Sequence, residues 1–392
     1  MFNPIMQRLG EARSVIRELF EYGNARKRAI GAENVYDFSL GNPNVPAPKF
    51  VQDEITRLMA EVPADVLHGY TSAAGAPEVR QAVSDYITAT FGAPSSPNLI
   101  YMTCGAAASL TVTLNALCNA GDEVIVLAPF FPEYRVFIER ANAKCVPVLT
   151  NEHFHPDFAA IEKAITKQTK AVIINSPNNP TGAVYSESEI KALGELLRRK
   201  SAELGSAIYL LADEPYRELT YGAVVPYVPN FYENTIVCYS FSKSLSLAGE
   251  RIGYIAVSPK CEGANELYAA VCGAGRALGF VCAPALFQFV VKSCLGKSSD
   301  IEEYKKNRDI LYNALTKYGY DCISPEGAFY LFVKSPEPDA KKFLERAKKY
   351  ELLIVPSDSF GATGYVRISY CVSRKTIENS LPAFEKLMKE YK

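Results

Sequence analysis

Between residues 99 and 257, short β-rich runs alternate with helical stretches, and this rhythm limits the chain to few architectures. The runs span 99–103, 123–128, 144–149, 171–175, 207–212, 235–240 and 252–257. Helical segments at 106–119, 133–142, 158–165 and 187–204 lie between them, the last preceded by the Ser186/Glu189 spacing of a capping box. Such alternation predicts an α/β fold with a mainly parallel seven-stranded sheet and helices on both faces. Sheets of this kind bind ligands at the carboxyl ends of their strands, so chemistry is expected in the loops that follow them.

The flanking regions read differently. Residues 6–30 have helical spacing, 35–40 form a strand, and 48–62 and 77–91 form helices with proline in the first turn. After about residue 285 come helices at 284–294 and 300–317, strands at 328–333, 352–355 and 365–370, and a last helix at 375–391. The expected organisation is a large domain, 46–285, and a smaller α+β domain made of 1–45 and 286–392.

Charge and cysteine usage exclude several function classes. Lys+Arg 42 against Asp+Glu 43 leaves a net charge of −1, with no basic surplus for nucleic acid. Ten cysteines without a C-x-x-C pair argue against a zinc ribbon and fit a reduced, cytoplasmic protein. With 3 histidines no metal centre is expected, and His153 and His155 read as surface residues. Residues 1–10 have no signal-peptide run. The most apolar stretch, 267–291, is interrupted by Gly273, Gly275, Arg276, Gly279, Pro284 and Gln288, so no membrane span is expected.

The loops after strands carry the chemistry. Gly105-Ala106-Ala107 opens a helix after the first run, which suits either close packing or an anion at the helix N-terminus. Phe131 follows the second run and reads as core or as a stacking face for a flat ring. Asn178-Asn179-Pro180-Thr181-Gly182 is a rigid turn that presents an amide at the ligand edge. Asp213, at the end of a buried strand, needs a cation; a protonated ring nitrogen would serve, with the Tyr216 phenol close by. Ser240, Ser242 and Lys243 follow the sixth run, and Arg251 lies eight residues beyond the lysine. Small hydroxyls with two cations suit a phosphate and an amine of depressed pKa. Arg367, inside an alternating strand, suits a surface ion pair or a bidentate grip on a carboxylate. Together these parts match pyridoxal phosphate chemistry, in which a lysine holds the cofactor and an aspartate partners its ring nitrogen.

Four motifs occur in order: N-N-P-T-G at 178–182, D-E-P-Y at 213–216, S-F-S-K at 240–243 and R-I-G-Y at 251–254. With them the chain resembles the class I/II aminotransferases, fold type I pyridoxal-phosphate enzymes of the aspartate aminotransferase-like branch. The resemblance implies that Lys243 holds pyridoxal 5′-phosphate as an internal aldimine and then shuttles the Cα proton. It implies that Asp213 keeps the ring nitrogen protonated, that Tyr216 and Asn179 bond the ring oxygen, and that Phe131 stacks on the ring. Gly105, the Ala106 and Ala107 N–H groups, Ser240, Ser242 and Arg251 would bind the phosphate. Tyr70 would reach the phosphate of a neighbouring subunit in a homodimer. Arg367 would bind the substrate α-carboxylate, assisted by Gly41 and Asn179. Arg276 reads either as a structural charge or as a cation donated across the dimer to a distal carboxylate. The expected reaction moves an amino group from an L-amino acid, aspartate first, to a 2-oxo acid such as 2-oxoglutarate. The rival readings are a neutral or aromatic amino acid aminotransferase and a C–S β-lyase, which would share Lys243, Asp213 and Arg367.

Overall fold

The apolar runs of residues 99–257 form one seven-stranded sheet in the computed structural model, which describes residues 2–11 and 14–392. Numbered along the chain, β1 (Tyr36–Asp37) lies outside this sheet. Its strands are β2 (Ile100–Thr103), β3 (Glu123–Ala128), β4 (Lys144–Leu149), β5 (Thr169–Asn175), β6 (Tyr209–Asp213), β7 (Thr235–Ser240) and β8 (Gly253–Val257). They lie in the order β2-β8-β7-β6-β5-β3-β4. Strands β3 to β7 are parallel to one another, as expected. Strand β8 is the exception, running antiparallel to both β2 and β7. Only the short helix Phe241–Ser244 lies between β7 and β8, and no crossover helix carries the chain back for parallel pairing.

Alternate side chains of each strand enter opposite cores. Ile125 and Leu127 face one, while Val124, Val126 and Ala128 face the other. Covered on both faces, the strands have no polar side to show, which is why they read as continuous apolar runs. The helix Glu187–Leu204 has the expected capping box at Ser186 and Glu189 and stops at Gly205 in the left-handed region.

A second core surrounds a three-stranded antiparallel sheet of β9 (Tyr330–Lys334), β11 (Val355–Pro356) and β12 (Tyr365–Ser369), with β12 central. The strand expected at 352–355 is divided. Its first half, β10 (Leu352–Leu353), pairs in parallel with β1, and its second half is β11. Pro356 has no N–H to donate and sits on the edge strand. The helix expected at 6–30 is also two, Pro4–Glu11 and Val15–Ile30, the second capped by the Ser14 side chain. Helices Ala64–His68 and Ala264–Leu278 were not anticipated from the periodicity. Helix Ala285–Lys292 packs on Lys49–Glu61 and Pro77–Phe91. Among the described residues no helix is long and apolar enough to cross a membrane.

Candidate active site

Strands β5, β6 and β7 are neighbours, and their carboxyl ends deliver Asn175, Asp213 and Ser240 to one cavity of about 280 Å³. The second sheet closes the opposite side with Tyr330 from β9 and Arg367 from β12. Gly41, Ala106, Ala107, Phe131, Asn179, Tyr216, Ser242, Lys243 and Arg251 also line this space. Most of the residues singled out in the sequence are therefore brought together. Tyr70 and Arg276 are not among the lining residues; Tyr70 is 99% exposed, and Arg276 is exposed in the last turn of helix Ala264–Leu278. The apolar stretch 267–291 is divided between two helices, Ala264–Leu278 and Ala285–Lys292, and Arg276 is exposed at the end of the first, so burial does not oblige it to find a partner.

One end of the cavity is built for an anion. Gly105 precedes helix Ala106–Leu117 with φ +87°, and a Cβ there would fall 2.8 Å from Arg251 Nη2 and 3.4 Å from Ser240 Oγ. Only glycine lets the helix N-terminus come this close to the arginine. Ser240 Oγ donates to Ser242 Oγ at 2.9 Å, and Arg251 Nη1 donates to the same oxygen at 3.3 Å. Arg251 itself has φ +55°, a left-handed conformation uncommon for a non-glycine residue.

Lys243 follows directly. Its Nζ donates to the Gly41 carbonyl at 2.7 Å and lies 5.4 Å from the centre of the Phe329 ring. Burial lowers its pKa to about 8, and the Arg251 and Arg367 charges add to this against an opposing effect of the Cys371 thiol. A neutral amine is therefore accessible near physiological pH.

Asp213 closes the floor. Tyr134 donates its hydroxyl to Oδ2, while Oδ1 is buried without a partner. Burial raises the carboxyl pKa to about 7, against the lowering effect of the Tyr134 hydrogen bond. A carboxylate so placed is complementary to one protonated ring nitrogen. Asn175 ties this strand end to the N-N-P-T-G turn: its Nδ2 donates to the Asp213 carbonyl at 2.8 Å and its Oδ1 accepts from Asn179 N at 2.7 Å.

Arg367 is 2% exposed and makes no ion pair among the described residues. Nη1 donates to Asn179 Oδ1 at 3.1 Å, Nη2 donates to the Ser39 carbonyl at 2.7 Å, and Nε has no partner. Its guanidinium lies 4.5 Å from the centre of the Tyr330 ring and 5.2 Å from that of Phe360. Tyr134, Tyr330 and Asn175 also shape this site and belong to none of the four sequence motifs. Tyr134 stands three residues after Phe131, and that spacing was its one available signal.

The family profile for aminotransferase class I and II matches residues 32–384. The chain belongs to this family. Its members use pyridoxal 5′-phosphate, and the orphaned Asp213 oxygen, the glycine-lined cradle and the half-buried lysine of lowered pKa fit that group. A crystal structure of an aminotransferase from Eubacterium rectale superposes with a TM-score of 0.98 at 54% identity, covering 100% of this chain and 99% of that one. The Thermus thermophilus aspartate aminotransferase with maleate gives a TM-score of 0.85 at 28% identity over 97% of this chain and 98% of that one. The aspartate aminotransferase of Pyrococcus horikoshii is 31% identical over 388 residues, 96% of this chain and 95% of that protein.

Proposed function

We propose that this aminotransferase takes its amino group from an L-amino acid, aspartate first, and delivers it to a 2-oxo acid such as 2-oxoglutarate by a ping-pong route. The observation that carries the reading is Lys243, a half-buried amine whose pKa is lowered by desolvation and by Arg251 and Arg367, in one cavity with a carboxylate oxygen that lacks a partner. Pyridoxal phosphate supplies an electron sink for the negative charge that develops at the donor Cα. The chain's own groups do the rest. Ser240, Ser242, Arg251, Gly105 and the Ala106 and Ala107 N–H groups hold the phosphate. Asp213 Oδ1 would hold the proton on the ring nitrogen, Phe131 would cover the ring face, and Tyr216 and Asn179 would bond the ring oxygen. Arg367 grips the α-carboxylate beside Gly41 and Asn179. Lys243 Nζ would take up and carry the proton lost from the donor Cα.

An aspartate donor is supported by the names of the relatives from Pyrococcus and Thermus. Its second carboxylate needs a cation, because Lys243, Arg251 and Arg367 are already engaged. In this reading two copies of the chain form a homodimer, in which Arg276 serves the partner's substrate and Tyr70 the partner's phosphate. A neutral donor is the second reading, favoured by Ile16 and Leu40 in the cavity lining. The test mixes the enzyme with aspartate, alanine, phenylalanine or cystathionine in turn, without a 2-oxo acid. Loss of the bound cofactor's visible absorbance establishes transamination, and the fastest amino acid names the donor class. Persistent absorbance with accumulating pyruvate would instead establish the β-lyase. Arg276→Ala should then slow aspartate far more than alanine, and equal losses would return the arginine to the surface.

A further inference from the structure

Tyr330 belongs to none of the four motifs, yet it touches three parts of the site. Its hydroxyl lies 2.9 Å from that of Tyr216. Its ring carries the Arg367 guanidinium at 4.5 Å. Its hydroxyl also abuts Gly41, where a Cβ would fall 2.0 Å away, and the Gly41 carbonyl is the acceptor for Lys243 Nζ. The sheet register explains how one residue does this. Arg367 pairs with Phe332 and Ser369 with Tyr330, so Tyr330 and Arg367 are diagonal neighbours on one face.

We propose that Tyr330 is a positioning residue that fixes the Tyr216 phenol and the Arg367 guanidinium relative to each other, keeping the cofactor side and the carboxylate side of the site in one geometry. The proposal rests on the roles given above to Tyr216 and Arg367. If the Tyr216 proton points to the cofactor's ring oxygen, Tyr330 must be the donor in the bond between the two phenols. Donation into the Tyr216 oxygen polarises its O–H and makes it the stronger donor. A stronger donor favours the deprotonated form of the Lys243-bound chromophore and lowers its pKa.

The test is a pH titration of the bound cofactor's absorbance in the holoenzyme, with KM and kcat measured alongside. Tyr330→Phe keeps the stack under Arg367 and removes only the hydroxyl. Its titration midpoint is expected to rise by about half a unit to one unit, the size of one neutral hydrogen bond, while KM for the amino acid stays within about twofold. Tyr330→Leu should give the same shift and also raise KM about tenfold through loss of the stack. In a Tyr216→Phe background, Tyr330→Phe should add nothing to the shift. A midpoint unmoved in Tyr330→Phe but raised in Tyr216→Phe overturns the proposal and leaves the Tyr216 role standing. A full additional shift in the double variant also overturns it, because Tyr330 would then act without Tyr216. No shift in Tyr216→Phe removes the Tyr216 role itself.

Discussion

Asp213 costs the cofactor-free protein stability, and the cost should be measurable. Its carboxyl titrates at about 7 in the folded chain against an ordinary value of 3.8, with burial as the main cause. Between those values the folded state binds more protons than the unfolded state, so stability falls as pH rises through this window. The penalty is complete above about pH 7, where it amounts to roughly 4 kcal/mol at ~1.4 kcal/mol per unit. Asp213→Asn removes the titration and leaves Tyr134 a carbonyl to donate to. Urea unfolding of both cofactor-free proteins from pH 5 to pH 8 should therefore show the variant gaining on the wild type by roughly 2 to 3 kcal/mol across that interval. Lys243 is common to both proteins and largely cancels in the difference. Loading pyridoxal phosphate should reverse the order, because only the carboxylate holds the ring proton. Parallel stability curves from pH 5 to pH 8 would refute the idea that Asp213 is held at energetic cost for a cation.

Lys243→Ala should retain the cofactor non-covalently through Ser240, Ser242 and Arg251, yet lose turnover by about 10³-fold, the weight of a positioned proton carrier; dialysis with absorbance and a coupled turnover assay check the two halves. Arg367→Leu should raise KM for the amino acid about a hundredfold, the scale of a charge-assisted bidentate contact, without changing cofactor loading. Gly105→Val places a Cβ 2.8 Å from Arg251 Nη2 at φ +87°, so it should weaken cofactor binding in a titration by about tenfold or more while Arg367-dependent carboxylate recognition persists in the loaded fraction.

The candidate site groups were legible because they stand at or just after the ends of their strands. Asp213 is the last residue of β6, Lys243 lies three residues after the end of β7, and Asn179 lies four after β5. A parallel sheet turns these sequence positions into one edge. Strand direction was not legible, since an alternating or continuous apolar run looks the same in either sense; the antiparallel β8 in a mainly parallel sheet is the case in point. Tyr134 and Tyr330 escaped notice for another. Each occupies a position that core periodicity alone explains, and each acquires its role from a partner 79 or 114 residues away. The boundary within 352–355 was hidden similarly, because four apolar residues do not reveal that the chain changes sheets between the second and the fourth.

The charges of this cavity differ from a scaffold pair such as Arg217 and Glu214 in whether they find a counter-charge within the chain. Arg217 and Glu214 are 8% and 3% exposed and pair with each other, while Arg217 also bonds the Val225 and Pro226 carbonyls and lies over the Phe91 and Tyr227 rings. That pair is complete and asks for no ligand. Arg367 is as deeply buried, but its bonds go to neutral acceptors and its Nε has none. Asp213 has a phenol on one oxygen and nothing on the other, and Lys243 donates to a carbonyl. A buried charge without a counter-ion is costly, whereas one that receives it from a ligand converts the same cost into selectivity. The three incomplete charges ask for a carboxylate, a ring cation and a carbonyl carbon open to an amine. An α-amino acid and pyridoxal phosphate supply these three together, and the incompleteness of this cavity is thus the strongest physical statement the chain makes about its reaction.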